Sequence, residues 1–190
     1  MFLLLTTLLA AQPAPVPAVT DSGRTVSGVT LPGTVDVAGH TLSLNGGALR
    51  KKMIFKVYVA ALYLAQTSNS ADQILSADAP RRMALHFISG HGTKEKMCTA
   101  WNDGLEANTP DASAVLKKQF AELCEMMVDT KDGDLMTLTY APGSGTTVAL
   151  SGTDRGNVQG KEFADAVLRC WIGPKPGPGE GFKKDILGGK

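Results

Sequence analysis

Apolar and polar positions alternate in two different rhythms along this chain. Val35 and Val37, then Leu42 and Leu44, recur at every second position and predict a hairpin-like pair around Ala38-Gly39-His40. Asn45-Gly46-Gly47 reads as a turn, because these residues accept positive φ. A long run of strand formers over 49–64 then reads as one strand, apolar enough on both faces to be covered on both. Residues 81–89 predict a further strand, with Met83, Leu85 and Phe87 on one face and His86 and Ile88 on the other. Strands at 135–141 and 146–151 flank the turn Pro142-Gly143-Ser144-Gly145.

The other rhythm is helical. Met97, Cys98, Trp101 and Leu105 fall on one stripe of a helix over 94–108, which Pro110 prevents from continuing. A second helix runs from a cap at Asp111 to about Met127, with Val115, Leu116, Phe120, Leu123 and Met127 inward. A third covers 161–172, with Phe163, Val167, Cys170 and Trp171 on one stripe. Short helical turns are expected at 71–75 and 182–187. Hairpins segregated from helices predict an α+β fold, an antiparallel β-sheet backed by a layer of helices.

Composition narrows the function classes. The 190 residues suffice for one domain with its own core. A net charge of +1 and 6% aromatic residues give neither the basic field nor the stacking surface of a nucleic-acid binder. Residues 2–11 form an apolar run too short to span a bilayer, followed by Pro/Ala-rich sequence. Residues 1–18 are therefore expected to be a signal peptide cleaved after Ala18, with Ala11 the second choice, although no Lys or Arg opens it. Residues 19–28 are read as a flexible segment and 29–190 as the folded domain, in a periplasmic or secreted protein without a transmembrane anchor.

No HExxH, GxSxG, Walker loop or helix-opening GxGxxG occurs, so no cofactor is expected. His40, His86 and His91 are too scattered for a metal site, and Asp129, Asp132 and Asp134 read as a plain acidic turn. Cys98, Cys124 and Cys170 lack CxxC spacing, which leaves open a Cys98–Cys124 disulfide or three free thiols. The basic cluster Arg50, Lys51, Lys52 and Lys56 is different. Lysines suit a solvated sheet edge, whereas the planar fork of Arg50 can hold a carboxylate through two hydrogen bonds. Tyr58 and Tyr63, embedded in apolar sequence, need partners for their hydroxyls. In one straight strand Arg50 and Tyr58 stand roughly 26 Å apart at about 3.3 Å per residue. They converge only if the strand bends, bulges or pairs back on itself.

The run GGALRKKMIFKVYVAALYL resembles the signature of the bacterial exported chalcone isomerase-like proteins. KEKMCTAWNDGLEAN, YAPGSGTTVALSG and GKEFADAVLRCWIG are similar to later segments of that family, in the same order. The resemblance spans roughly residues 29–188. It implies an open-faced β-sandwich with a ligand cleft between sheet and helices. It also implies two activities: an intramolecular lyase that closes chalcones to flavanones, or non-catalytic binding of fatty acids through an Arg and a Tyr. The family's catalytic Arg falls on Arg50, but its strand Thr falls on Tyr58, and its remaining catalytic Tyr, Asn and Thr fall near Thr93, Ala100 and Arg155. The expectation is therefore a non-catalytic binder of a small amphipathic carboxylate, with Arg50, Tyr58 and Tyr63 as ligand-binding residues. A chalcone isomerase-type enzyme and a ligand-free structural or interaction module are the alternatives.

Overall fold

Period-2 alternation lets a strand bury one side chain in two, and seven strands, β3 to β9, form a single antiparallel sheet in chain order. The computed structural model describes residues 23–189; the expected leader at 1–18 lies outside them. The strands are β3 (Thr34–Val37), β4 (His40–Lys52), β5 (Phe55–Leu64), β6 (Arg81–Phe87), β7 (Leu135–Ala141), β8 (Gly145–Leu150) and β9 (Thr153–Val158). A two-stranded ribbon, β1 (Arg24–Val26) and β2 (Val29–Leu31), precedes them. The helices are α1 (Ala71–Ser76), α2 (Lys94–Asn108), α3 (Ala114–Met126), α4 (Lys161–Ile172) and α5 (Glu180–Ile186).

The two faces of the sheet bury different cores. Ala60, Leu62 and Leu64 of β5 join the main core with Phe120, Phe163, Trp171 and Ile186 from the helices. The alternate residues Val59, Ala61 and Tyr63 join a smaller cluster with Leu31, Val37 and Leu42. α4 is the central helix: eight of its residues are buried, and Gly160 opens it at a φ of 97°. The fold is thus the expected α+β arrangement, a curled antiparallel sheet with helices packed on one face.

Several local expectations are corrected. The run 49–64 is not one strand. β4 ends at Lys52, which pairs with Phe55 across a two-residue turn, Met53-Ile54. Met53 takes a left-handed φ of 55° there, unusual for a non-glycine residue. Asn45-Gly46-Gly47, expected as the turn, instead stays inside β4, with a bulge between Leu44 and Gly46. A Cβ on Gly46 would lie 2.4 Å from the carbonyl oxygens of both Asp185 and Ile186. The glycine is there to let α5 approach the strand, and Asn45 Nδ2 donates to the Ile186 carbonyl at 3.1 Å beside it.

The stretch expected to be loosely ordered after the leader pairs, over residues 24–31, as the ribbon, and Leu31 is completely buried. α3 is capped by Ser113, whose side chain accepts from Leu116 N, rather than by Asp111, and Val115 faces solvent at 66% exposure. β9 is unanticipated, because Thr-Asp-Arg-Gly-Asn-Val carries no apolar alternation. The Asp134 carboxylate accepts the Lys131 backbone N–H at 2.9 Å within its own turn, and that of Asp129 accepts the Lys94 N–H at 2.8 Å, at the start of α2. The three cysteines are free thiols.

Candidate functional site

The turn at Met53-Ile54 folds the basic segment back onto its own strand. Arg50 becomes the direct cross-strand partner of Tyr58. Directly opposed residues have Cβ atoms about 4.5–5.5 Å apart on one face of the sheet, so pairing back removes the separation that a straight strand imposes. A bulge between Arg50 and Lys51 re-aims the strand at this point. Arg50 is half-buried, and its guanidinium makes no hydrogen bond or ion pair among the described residues. Tyr63 does not belong with them. Five positions along β5, it faces the opposite side and is buried in the smaller cluster, opposite Arg82 and Leu44.

Tyr58 is positioned by α4. Trp171 Nε1 donates to its hydroxyl oxygen at 3.0 Å, and the edges of Phe87 and Phe182 pack against its ring at centroid distances of 5.7 and 6.5 Å. Burial raises the Tyr58 phenol above its ordinary value, and the Trp171 bond and nearby Arg50 only partly offset this. Tyr58 therefore stays protonated near neutrality, with an O–H still to donate. Trp101 of α2 meets Trp171 edge to face at 5.1 Å. Its own Nε1–H is buried and has no acceptor among the described residues. Burial pushes the Cys170 thiol, in the same wall, up to about 12, which keeps it neutral and a poor nucleophile.

These groups surround connected hollows. An inner one of about 80 Å³ is lined by Arg50, Tyr58, Leu85, Trp101, Cys170 and Trp171. An outer one of about 300 Å³ shares Arg50, Tyr58, Phe87 and Met97 with it and is lined also by the exposed Met53, Phe55 and Lys96. The outer volume is at the small end of the roughly 300–1,000 Å³ typical of ligand pockets. A polar groove of about 380 Å³ adjoins Arg50 along α2, with Lys52, Lys96, Glu95 and Asp103 on its walls. A larger hollow, about 550 Å³, lies elsewhere, against Leu64 and α1. Its one cation, Arg81, is already paired with Asp165, which Lys161 also holds at 2.5 Å. Of the buried side-chain donors without a partner among the described residues, Trp101 Nε1 lies at the smaller cavity, whereas the hydroxyls of Ser89, Thr109 and Thr146 lie away from it.

The structure brings Arg50 and Tyr58, the residues expected from sequence, to one cavity, and adds Trp101 and Trp171, which were not expected there. Both tryptophans lie on helical stripes that read as core. Only the unpartnered indole N–H separates Trp101 from an ordinary core residue, and that is visible only in three dimensions.

A curled antiparallel sheet with a helical layer and a cleft between them defines a chalcone isomerase-like fold. The chain belongs to the chalcone isomerase-like family, whose model matches residues 23–188. Among solved structures it is similar to a fatty-acid binding protein of Arabidopsis thaliana. That match has a TM-score of 0.68 at 18% identity and covers 87% of this chain and 95% of that one. No curated protein sequence matches the chain.

Proposed function

We propose that this protein binds a small amphipathic carboxylate, such as a fatty acid, without transforming it. The observation that carries this reading is a set of three donors without acceptors among the described residues, around one apolar cavity: the Arg50 guanidinium, the Tyr58 O–H and the Trp101 N–H. A carboxylate accepts from several donors at once, and bonds to Arg are charge-assisted. The walls of Leu85, Phe87 and Met97 suit an alkyl chain. The fatty-acid binding protein of similar fold supports the same choice. Isomerase chemistry would need an enone oxygen polarised and a phenolate stabilised, and of the family's catalytic set only the Arg is matched. We further propose that the protein is exported, on the strength of the apolar run and the Pro/Ala-rich stretch that follows it.

The test is a thermal-shift titration with dodecanoate, together with native mass spectrometry of the purified protein. Dodecanoate at 100 times its Kd should stabilise the fold by about 2.7 kcal/mol, raising the midpoint by roughly 5–10 °C for a chain of this size. Arg50→Gln should weaken binding by about tenfold to a hundredfold. A protein that retains no lipid and shows no shift with fatty acids would refute the binding reading. Chalcone turnover above the spontaneous rate that disappears in Arg50→Ala would replace it with the enzyme.

A further inference from the structure

The tip of the β4–β5 hairpin exposes what most folds bury. Met53 is 89% exposed, Ile54 86% and Phe55 50%, three consecutive large apolar residues, while the other large exposed apolar residue among the described residues, Val115, lies on α3. Exposed Lys51 and Lys52 precede them and exposed Lys56 follows. No Asp or Glu occurs between Asp36 and Asp72, so the hairpin is cationic in a chain whose net charge is only +1. Lys96 of α2 adds a further cation at the adjoining cavity mouth.

We propose that this tip is a membrane-docking element that inserts into the headgroup region of an anionic phospholipid bilayer. The chemistry on both sides matches. Apolar side chains of an interfacial element sit at the boundary between headgroups and acyl chains, and lysine stems lie along that boundary with their ammonium groups at the phosphates. Each lysine near an anionic surface strengthens binding roughly fivefold. The size of the patch also separates a bilayer from a protein partner. Three side chains fall well short of the about 800 Å² that each partner buries in a stable protein interface, whereas a bilayer needs no complementary surface of that extent. Met53 and Phe55 of the tip and Lys96 line the outer cavity together with Arg50, so an amphiphile leaving the bilayer at the docked tip would find Arg50 in the adjoining hollow. Docking itself does not depend on an occupied cavity.

The test is flotation of the full chain with vesicles of phosphatidylcholine alone and of phosphatidylcholine with 30% phosphatidylglycerol, at low and high salt. The protein should float with the anionic vesicles, bind them less tightly as salt rises, and bind neutral vesicles far more weakly. Ile54→Asp should lower the anionic affinity by about tenfold or more. Lys51→Gln combined with Lys56→Gln should lower it by roughly thirtyfold. None of these side chains lines the cavity, so dodecanoate binding by both variants should equal that of the parent. Circular dichroism and the thermal midpoint check that both remain folded. No flotation with either vesicle, or flotation that Ile54→Asp leaves unchanged, overturns the proposal. So does concentration-dependent self-association that Ile54→Asp abolishes in a protein that binds no vesicles, because the tip then joins two copies of the chain. Loss of dodecanoate binding with flotation intact would count against the cavity reading alone.

Discussion

At the scale of single residues, Tyr58 joins a structural bond to the proposed head-group site. Its hydroxyl oxygen accepts the Trp171 indole N–H inside the main core, and its own proton points no protein acceptor's way among the described residues. Tyr58→Phe should therefore cause two separable losses. Trp171 Nε1 would be left buried without an acceptor, a cost of about 1–3 kcal/mol to the empty fold. The carboxylate would lose a donor, weakening it by roughly tenfold or more. Urea unfolding of the ligand-free protein reads the first loss, and calorimetric titration with dodecanoate reads the second. A destabilised variant with parental affinity would remove Tyr58 from the head-group site and leave it a purely structural residue. Arg50 differs in having no structural bond to lose, so its substitution should affect binding far more than folding.

At the scale of elements, legibility in the sequence followed the kind of signal each element carries. α2 and α4 have the bounds that their stripes predict, because a 3.6-residue period sustained over three turns fits neither a strand nor a loop. β6 and β7 were legible for the analogous reason at period two. The β4–β5 turn was hidden, since Lys-Lys-Met-Ile-Phe-Lys contains no Gly, Pro, Asn or Asp. That turn pairs Arg50 with Tyr58, so these two candidates were readable while their proximity was not. Asn45-Gly46-Gly47 misled in the opposite sense. A glycine that relieves backbone φ and a glycine that admits a neighbouring chain look the same in sequence, and this pair does the second. Gly46→Ala tests the distinction. Its Cβ would meet two α5 carbonyl oxygens that cannot rotate away, so α5 must shift from β4. The expected cost is about 1–3 kcal/mol, read as a lower urea midpoint together with faster amide exchange in α5. An unchanged midpoint would mean that α5 is not held against the strand.

At the scale of the whole molecule, acid should weaken the fold in two separate steps. His86 sits half-buried on β6, and burial holds its imidazole below the ordinary histidine value. In the unfolded chain it protonates at about pH 6.5. As pH falls through that value the unfolded state takes up the proton first, so stability drops until the lower folded value is reached and then stops changing on this account. Asp134 acts at lower pH. Its carboxylate accepts from Lys131 N at 2.9 Å and Ser151 Oγ at 3.0 Å, and the backbone bond is the main reason that its value lies below the ordinary carboxylate range. Its contribution is complete above the unfolded value of about 3.9 and is lost as pH falls through the folded one. Both groups bind more protons unfolded than folded in their windows, so both slopes have the same sign. Urea midpoints taken from about pH 8 to 3 should show two declines. His86→Gln should flatten the upper decline and leave the lower one, and Asp134→Asn should do the reverse. If His86→Gln keeps the full slope between about pH 7 and 5, the imidazole is not buried as a neutral group on the sheet, and its side of β6 is more open to water than the packing around Ala84 and Ile88 requires.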